Sequence, residues 1–280
     1  HSKPKDQEVY LAIKTIGEGS FGAIKLAKHA KTGKMVAIKS IDRVALKQSS
    51  KAAKMVVAEL ATLLCLGTGA KETCLLPLLD VYATSSSILL VFPYAEHGDL
   101  FEWLKRQPGS HVGLAGTRRI FSQLVDAVAF MHVNGFCHRD LKPENVLVIN
   151  SPSRAAKASW FVPFPIFYIT CPQCLCGWIS HENHKTKEII NRTPYRGPEV
   201  DAWSLGVILY TLASGRFPYS SGPDLAAAIN SGKVRTTDRI SGPNYDSLRH
   251  LVSRALDVNP ATRITVLGMR LHPFLLASTT

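Results

Sequence analysis

His138-Arg139-Asp140-Leu141-Lys142-Pro143-Glu144-Asn145 is the stretch on which the reading of this 280-residue chain turns. It sets a carboxylate (Asp140), a cation two residues on (Lys142) and an amide five residues on (Asn145) in one short segment. A carboxylate can accept a proton, a cation can steady negative charge, and an amide oxygen can ligate a metal. The competing reading is a fortuitous basic turn after a helix.

Outward from this stretch the chain supplies matching parts. Upstream, Thr117 to Val133 places Ile120, Leu124, Val128 and Met131 on one stripe with Phe121 and Val125 beside it. That is an amphipathic helix, ended by Gly135. At the N-terminal end, Val9 to Glu18 reads as a strand running into Gly17-Glu18-Gly19-Ser20-Phe21-Gly22. A glycine loop of this kind lets backbone amides approach phosphates. It also fits a dinucleotide fold, but that fold opens a helix after the glycines. Here Ala23 to Ala30 continues in short alternation, Thr32-Gly33-Lys34 makes a turn, and Met35 to Ile41 is a second apolar run. Lys51 to Leu66 has helical spacing at Met55, Val56, Leu60, Leu63 and Leu64, and carries Glu59. Leu75 to Val81 and Ile88 to Phe92 read as strands, and Leu100 to Lys105 as a short helix.

The octapeptide resembles the catalytic loop of the eukaryotic Ser/Thr protein kinases, and Val36-Ala37-Ile38-Lys39 resembles their lysine strand. The likeness covers about residues 9–150 and 188–276. Lys142 favours the Ser/Thr over the tyrosine class. Pro194 to Asp201 looks most like the calcium/calmodulin and AMP-activated-kinase-related branch. The resemblance implies an α+β, bilobal protein-kinase fold: a small antiparallel sheet with one helix, then a larger, mainly helical lobe. The domain is expected over 9–276, with an N-lobe at about 9–93, a hinge at 94–98 and a C-lobe at 99–276.

The same resemblance assigns roles. Asp140 is the base or hydroxyl-orienting group, Lys142 stabilises the phosphoryl group, and Asn145 holds one Mg²⁺. ATP is expected to meet Gly17, Glu18, Gly19, Ser20, Phe21, Gly22, Ile24, Ala37, Lys39, Phe92 (the gatekeeper position), Tyr94, Ala95, Asp99 and Leu147. Glu59 orients Lys39, with Glu72 a weaker competitor. Asp99 and Glu144 are acidic points for the substrate peptide, which implies a basophilic kinase. Asp201 is expected to accept hydrogen bonds from the catalytic-loop backbone. The arginine Arg263 is expected to pair with Glu188, which stands thirteen residues before Asp201. Gly197-Pro198-Glu199 mimics the family's A-P-E but stands too close to Asp201 for that part. His272-Pro273-Phe274 closes the domain.

Residues 150–187 break the pattern. The family places D-F-G about thirteen residues after Asn145, where this chain has Ala158-Ser159-Trp160, and no aspartate occurs from Leu141 to Val200. That aspartate carries the principal Mg²⁺ contact. Ala158 to Ser180 has no charged residue and holds Pro163, Pro165 and Pro172. Three readings are open: an error of the gene model, a real divergent activation segment, or a zinc site at Cys171, Cys174, Cys176, His181 and His184. No kinase mechanism calls for zinc, and none is expected. Two functions from different classes therefore stand side by side: an active Ser/Thr kinase using ATP and Mg²⁺ with one ligand position missing, or a pseudokinase scaffold.

The net charge is +12, but the lysines and arginines are scattered, so nucleic acid is not expected as a partner. No membrane span is expected either, because the prolines interrupt the long apolar run. Protein substrates and an upstream activating kinase are the expected partners, with Thr186 and Thr193 as unsupported phosphosites. The polar start at His1 to Glu8 reads as no signal peptide, and His1 itself suggests a fragment or an incomplete gene model. With six cysteines this implies a reduced, intracellular chain, cytoplasmic or nuclear.

Overall fold

Alternation between Tyr10 and Asp42 builds three antiparallel strands: β1 (Tyr10–Gly19), β2 (Gly22–His29) and β3 (Met35–Asp42). In this computed structural model the described residues are 10–19, 22–67, 74–149, 159–161, 167–168, 188, 195–220, 223–235 and 238–277. They fall in two compact units, His1–Lys71 with Leu76–Glu96, and Glu72–Leu75 with His97–Thr280. The division falls after Glu96, within the 94–98 stretch.

The first unit is a five-stranded antiparallel sheet of order β1-β2-β3-β5-β4, where β4 is Asp80–Ala83 and β5 is Ser87–Pro93. Ala27, Val36 and Val91 form its buried centre. The sheet curls until Tyr10 of one edge strand lies 6.0 Å, ring to ring, from Tyr82 of the other. Gly22 has φ 147°, and a Cβ there would meet the Ser40 carbonyl oxygen at 2.1 Å. Its glycine is therefore required by close strand packing, a reason additional to any approach of phosphate.

The expected strand over Leu75–Val81 is shorter and later. Leu75 and Leu76 are buried, but regular pairing starts only at Asp80. Pro77 has no N–H to give a ladder. A short helix not read from the sequence, α1 (Arg43–Gln48), follows β3; its N-cap Asp42 accepts from Val44 N at 2.7 Å and Ala45 N at 3.4 Å. Helix α2 (Ser50–Gly67) buries Val56, Glu59, Thr62, Leu63 and Leu66, while Leu64 is 62% exposed. The spacing of apolar residues alone misplaced Leu64, because one buried position belongs to a glutamate.

The second unit is mainly helical: α3 (Leu100–Lys105), α4 (Leu114–Val133), α5 (Gly197–Ser214), α6 (Leu225–Ser231), α7 (Asp246–Ala255), α8 (Val266–Arg270) and α9 (Pro273–Leu276). Every residue named on the α4 stripe is buried. Helix α5 is buried continuously from Val200 to Ser214, as a helix apolar nearly all round must be. It begins four residues before Asp201, so Gly197-Pro198-Glu199 is its first turn, with Pro198 where its missing N–H costs nothing. At Gly206 an added Cβ would lie 2.7 Å from the Ala255 Cβ, so glycine lets α5 and α7 close up. Short ladders join β6 (Phe136–Cys137) to β9 (Phe167–Tyr168) and β7 (Leu147–Ile149) to β8 (Ser159–Phe161). No described helix is long and apolar enough to cross a membrane.

Candidate active site

In the second unit the decisive octapeptide runs between β6 and β7. Its backbone is clamped by one fully buried carboxylate. Asp201 accepts from His138 N at 2.9 Å and from Arg139 N at 2.7 Å, and its Oδ2 lies 2.9 Å from His132 Nε2. The clamp holds Arg139 at φ 63°, a left-handed conformation that costs a non-glycine residue about 1–2 kcal/mol. That turn presents the three expected groups together. Asn145 Nδ2 donates to the Asp140 carbonyl at 2.7 Å and to Asp140 Oδ2 at 2.9 Å. Lys142 Nζ lies 3.5 Å from the same carboxylate oxygen, and Asp140 N donates to His138 Nδ1 at 3.2 Å. With its amide nitrogen engaged, Asn145 keeps its amide oxygen as an acceptor for a cation.

His132 was not singled out from the sequence. It stands on the last turn of α4 and reaches the carboxylate that fixes the loop. Together with Cys137 and Asp201 it brings nitrogen, sulfur and oxygen within 4.8 Å. This trio is structural. Asp201 is already engaged by three donors, and burial, then the Asp201 charge, push the Cys137 thiol far up, so it keeps its proton.

Asp99 is the N-cap of α3, accepting from Glu102 N at 2.9 Å, and its backbone bridges to half-buried Leu147. This local duty was not read from the sequence, although an aspartate before an apolar helix is a capping signal. Glu144 sits half-buried in the turn Pro143–Asn145, and its Oε2 is buried with no hydrogen-bond partner among the described residues.

Arg263 anchors a second buried node. It donates to Glu188 Oε1 at 2.9 Å, to the Glu199 carbonyl at 2.9 Å and to the Asp257 carbonyl at 2.9 Å. Its guanidinium also lies 5.0 Å over the Trp203 ring. Glu188, not Glu199, supplies the carboxylate. Trp203 stacks on Tyr219, whose hydroxyl burial pushes up to about 12.

In the first unit Lys39 pairs across the sheet with Ile24 on β2 and Leu90 on β5. Its Nζ meets Glu59 Oε1 of α2 at 2.6 Å, twenty residues away in sequence. The pair is mostly withdrawn from water, with side chains 17% and 8% exposed. Such a pair gives direction more than stability. Gly17 and Glu18 lie on β1, facing Ile24 and Ala23 of β2, and Gly19 pairs with Gly22 to close the hairpin. Ser20 and Phe21 lie outside the described residues. Ala37 is opposite Phe92, which is buried, as is Ala95; Tyr94 is half-buried.

The D-F-G spacing leads elsewhere. Ser159 and Trp160 are strand residues of β8, opposite Ile149 and Val148. Ala158, Thr186, Thr193 and the cysteine-histidine group at 171–184 lie outside the described residues.

The comparisons agree with this geometry. The protein kinase domain family matches residues 10–275. Similar proteins include CBL-interacting serine/threonine-protein kinase 8 of Arabidopsis thaliana, 31% identical over 93% of this chain and 56% of that protein. The carbon catabolite-derepressing protein kinase of Candida tropicalis is 37% identical over 92% of this chain and 39% of its own length. The SNF1-like protein kinase ssp2 of Schizosaccharomyces pombe is 35% identical over 95% and 44%. The chain thus spans about half the length of the curated relatives it matches, and their names lend no support to a dead scaffold. A loop clamped on a buried aspartate, a lysine–glutamate pair from strand to helix, and a match from end to end have one reading: the chain belongs to the protein kinase domain family.

Proposed function

We propose that this chain transfers the γ-phosphoryl group of ATP to serine or threonine hydroxyls of proteins. The observation that carries the reading is the cluster of Asp140, Lys142 and Asn145 on a loop held by Asp201. Asp140 orients the incoming hydroxyl and takes up its proton. Lys142 offsets charge on the transferring group, and the Asn145 amide oxygen faces the metal side. Lys39, held by Glu59, binds phosphate oxygens. For the nucleotide the first unit offers Gly17, Glu18, Gly19, Gly22, Ile24, Ala37, Phe92, Tyr94 and Ala95, and the second offers Asp99 and Leu147. ATP–Mg²⁺ supplies the phosphoryl group and neutralises its charge; the chain offers this group a fitting lysine but one metal-side amide and no aspartate between Leu141 and Val200.

Asp99 and Glu144 select peptides with basic residues upstream of the target hydroxyl. The buried Glu144 oxygen, which has no hydrogen-bond partner among the described residues, supports this, because an arginine fork would complete it. The setting is a reduced intracellular compartment, cytoplasmic or nuclear, with an upstream kinase as a partner; no part is assigned to zinc, nucleic acid or membrane.

Asp140→Asn tests the assignment, since it keeps the shape and removes the base. Transfer to an arginine-containing serine peptide should fall about 10²–10⁴-fold, with nucleotide affinity unchanged. An unchanged rate would remove Asp140 from the chemistry.

A further inference from the structure

Outside the His138–Asn145 loop, two histidines of the helical unit face each other. His250 Nδ1, on α7, lies 2.8 Å from His272 Nε2, with the rings stacked at 5.1 Å between centroids. His272 is buried and is the N-cap of α9: its Nδ1 accepts from Phe274 N at 3.1 Å. That bond fixes the protons. An Nδ1 that accepts leaves the hydrogen of neutral His272 on Nε2. His272 therefore donates to His250, whose own hydrogen sits on Nε2.

We propose that His250 and His272 form a proton-sensitive latch that holds α9 on the helical unit at neutral pH and loosens it in mildly acidic solution. A proton entering the pair has two places to go. On His272 Nδ1 it expels the Phe274 N–H and uncaps α9. On His250 Nδ1 it sets two N–H groups against each other across 2.8 Å. Either way one hydrogen bond is lost and two rings share positive charge. Phe274, the residue so anchored, is fully buried in the core.

The carboxylates on the helices packed against α9 are engaged by arginines: Asp126 of α4 by Arg270 and Asp246 of α7 by Arg249. From α4, Arg118 donates to the Phe274 carbonyl at 2.7 Å and lies over its ring. From α8, Arg270 is engaged with Asp126 at 2.7 Å. Burial, then the facing His250, hold His272 below the ordinary histidine value. Since the folded value is depressed, the stabilisation is complete above about pH 6.5, the unfolded value, and is lost as pH falls below it.

Amide hydrogen exchange of the intact chain at pH 7.5 and 5.5, corrected for intrinsic rates, reads the latch directly. Protection at Phe274 to Ala277 should fall at least fivefold at the lower pH, with residues of α5 unaffected. His272→Asn keeps a capping oxygen and removes the ring that both caps α9 and faces His250, so its α9 protection should respond far less to pH. His250→Gln should move the loss of protection to higher pH, because the opposing ring is gone. Equal protection of the native chain at both pH values would overturn the latch. So would an unaltered pH response in His272→Asn.

Discussion

Replacing residues 150–187 with a segment that sets Asp-Phe-Gly thirteen residues after Asn145 is expected to raise phosphoryl transfer about a thousandfold. The native stretch offers no aspartate from Leu141 to Val200, and two of the three positions at the expected spacing are committed to β8. A carboxylate there would add a second, charged oxygen ligand for the metal besides the uncharged amide of Asn145. Lewis-acid stabilisation of this kind is worth several kcal/mol, and each 1.36 kcal/mol is about tenfold in rate. Steady-state transfer to an arginine-containing serine peptide checks it. A second chimera with Asn in place of the new aspartate separates the carboxylate from any benefit of the segment. If both chimeras gain equally, or if neither does although both unfold cooperatively, the metal-side deficit is not what limits this chain.

Arg263→Ala should lower the stability of the helical unit by about 3–5 kcal/mol, the usual result of removing one partner of a buried ion pair. The size follows from what is left behind. Glu188 becomes a buried carboxylate without its cation, and the Glu199 and Asp257 carbonyls lose their donors. The Trp203 face loses the guanidinium above it. For a unit of this size the melting temperature should drop by roughly 10 °C. Arg263→Lys should recover only part, because one ammonium cannot reach all three acceptors in the plane of the fork. Denaturant melts of the three proteins decide it. A loss under about 1 kcal/mol, the range of exposed pairs, would mean that the node is not buried as described.

Much of this was legible in the sequence where chemistry fixes both residue type and spacing. Lys39 and Glu59 are twenty residues apart, and a helix following three strands brings them together. The meeting of Asp140, Lys142 and Asn145 could be read because they lie within one short loop. Arg263 and Glu188 were paired by counting back from Asp201, past the nearer mimic at Glu199, and the structure supplies the bond. What stayed hidden depended on contacts that no local pattern carries. Leu64 fits the apolar spacing of α2 yet faces outward, because Glu59 turns that helix toward Lys39. Gly22 looks like a phosphate-loop glycine, and the tight approach of Ser40 shows a second need for it. His132 carries no motif; only the fold brings it to Asp201.

The absolute rate of the unmodified chain, measured as Mg²⁺ is raised with ATP and an arginine-containing serine peptide, is the most direct test. Transfer that requires Asp140 yet stays well below the roughly 1–100 s⁻¹ of ordinary protein kinases is the expected result. A turnover inside that range, abolished by Asp140→Asn, would contradict the metal-side deficit. No Asp140-dependent transfer at any Mg²⁺ concentration would contradict the kinase assignment itself.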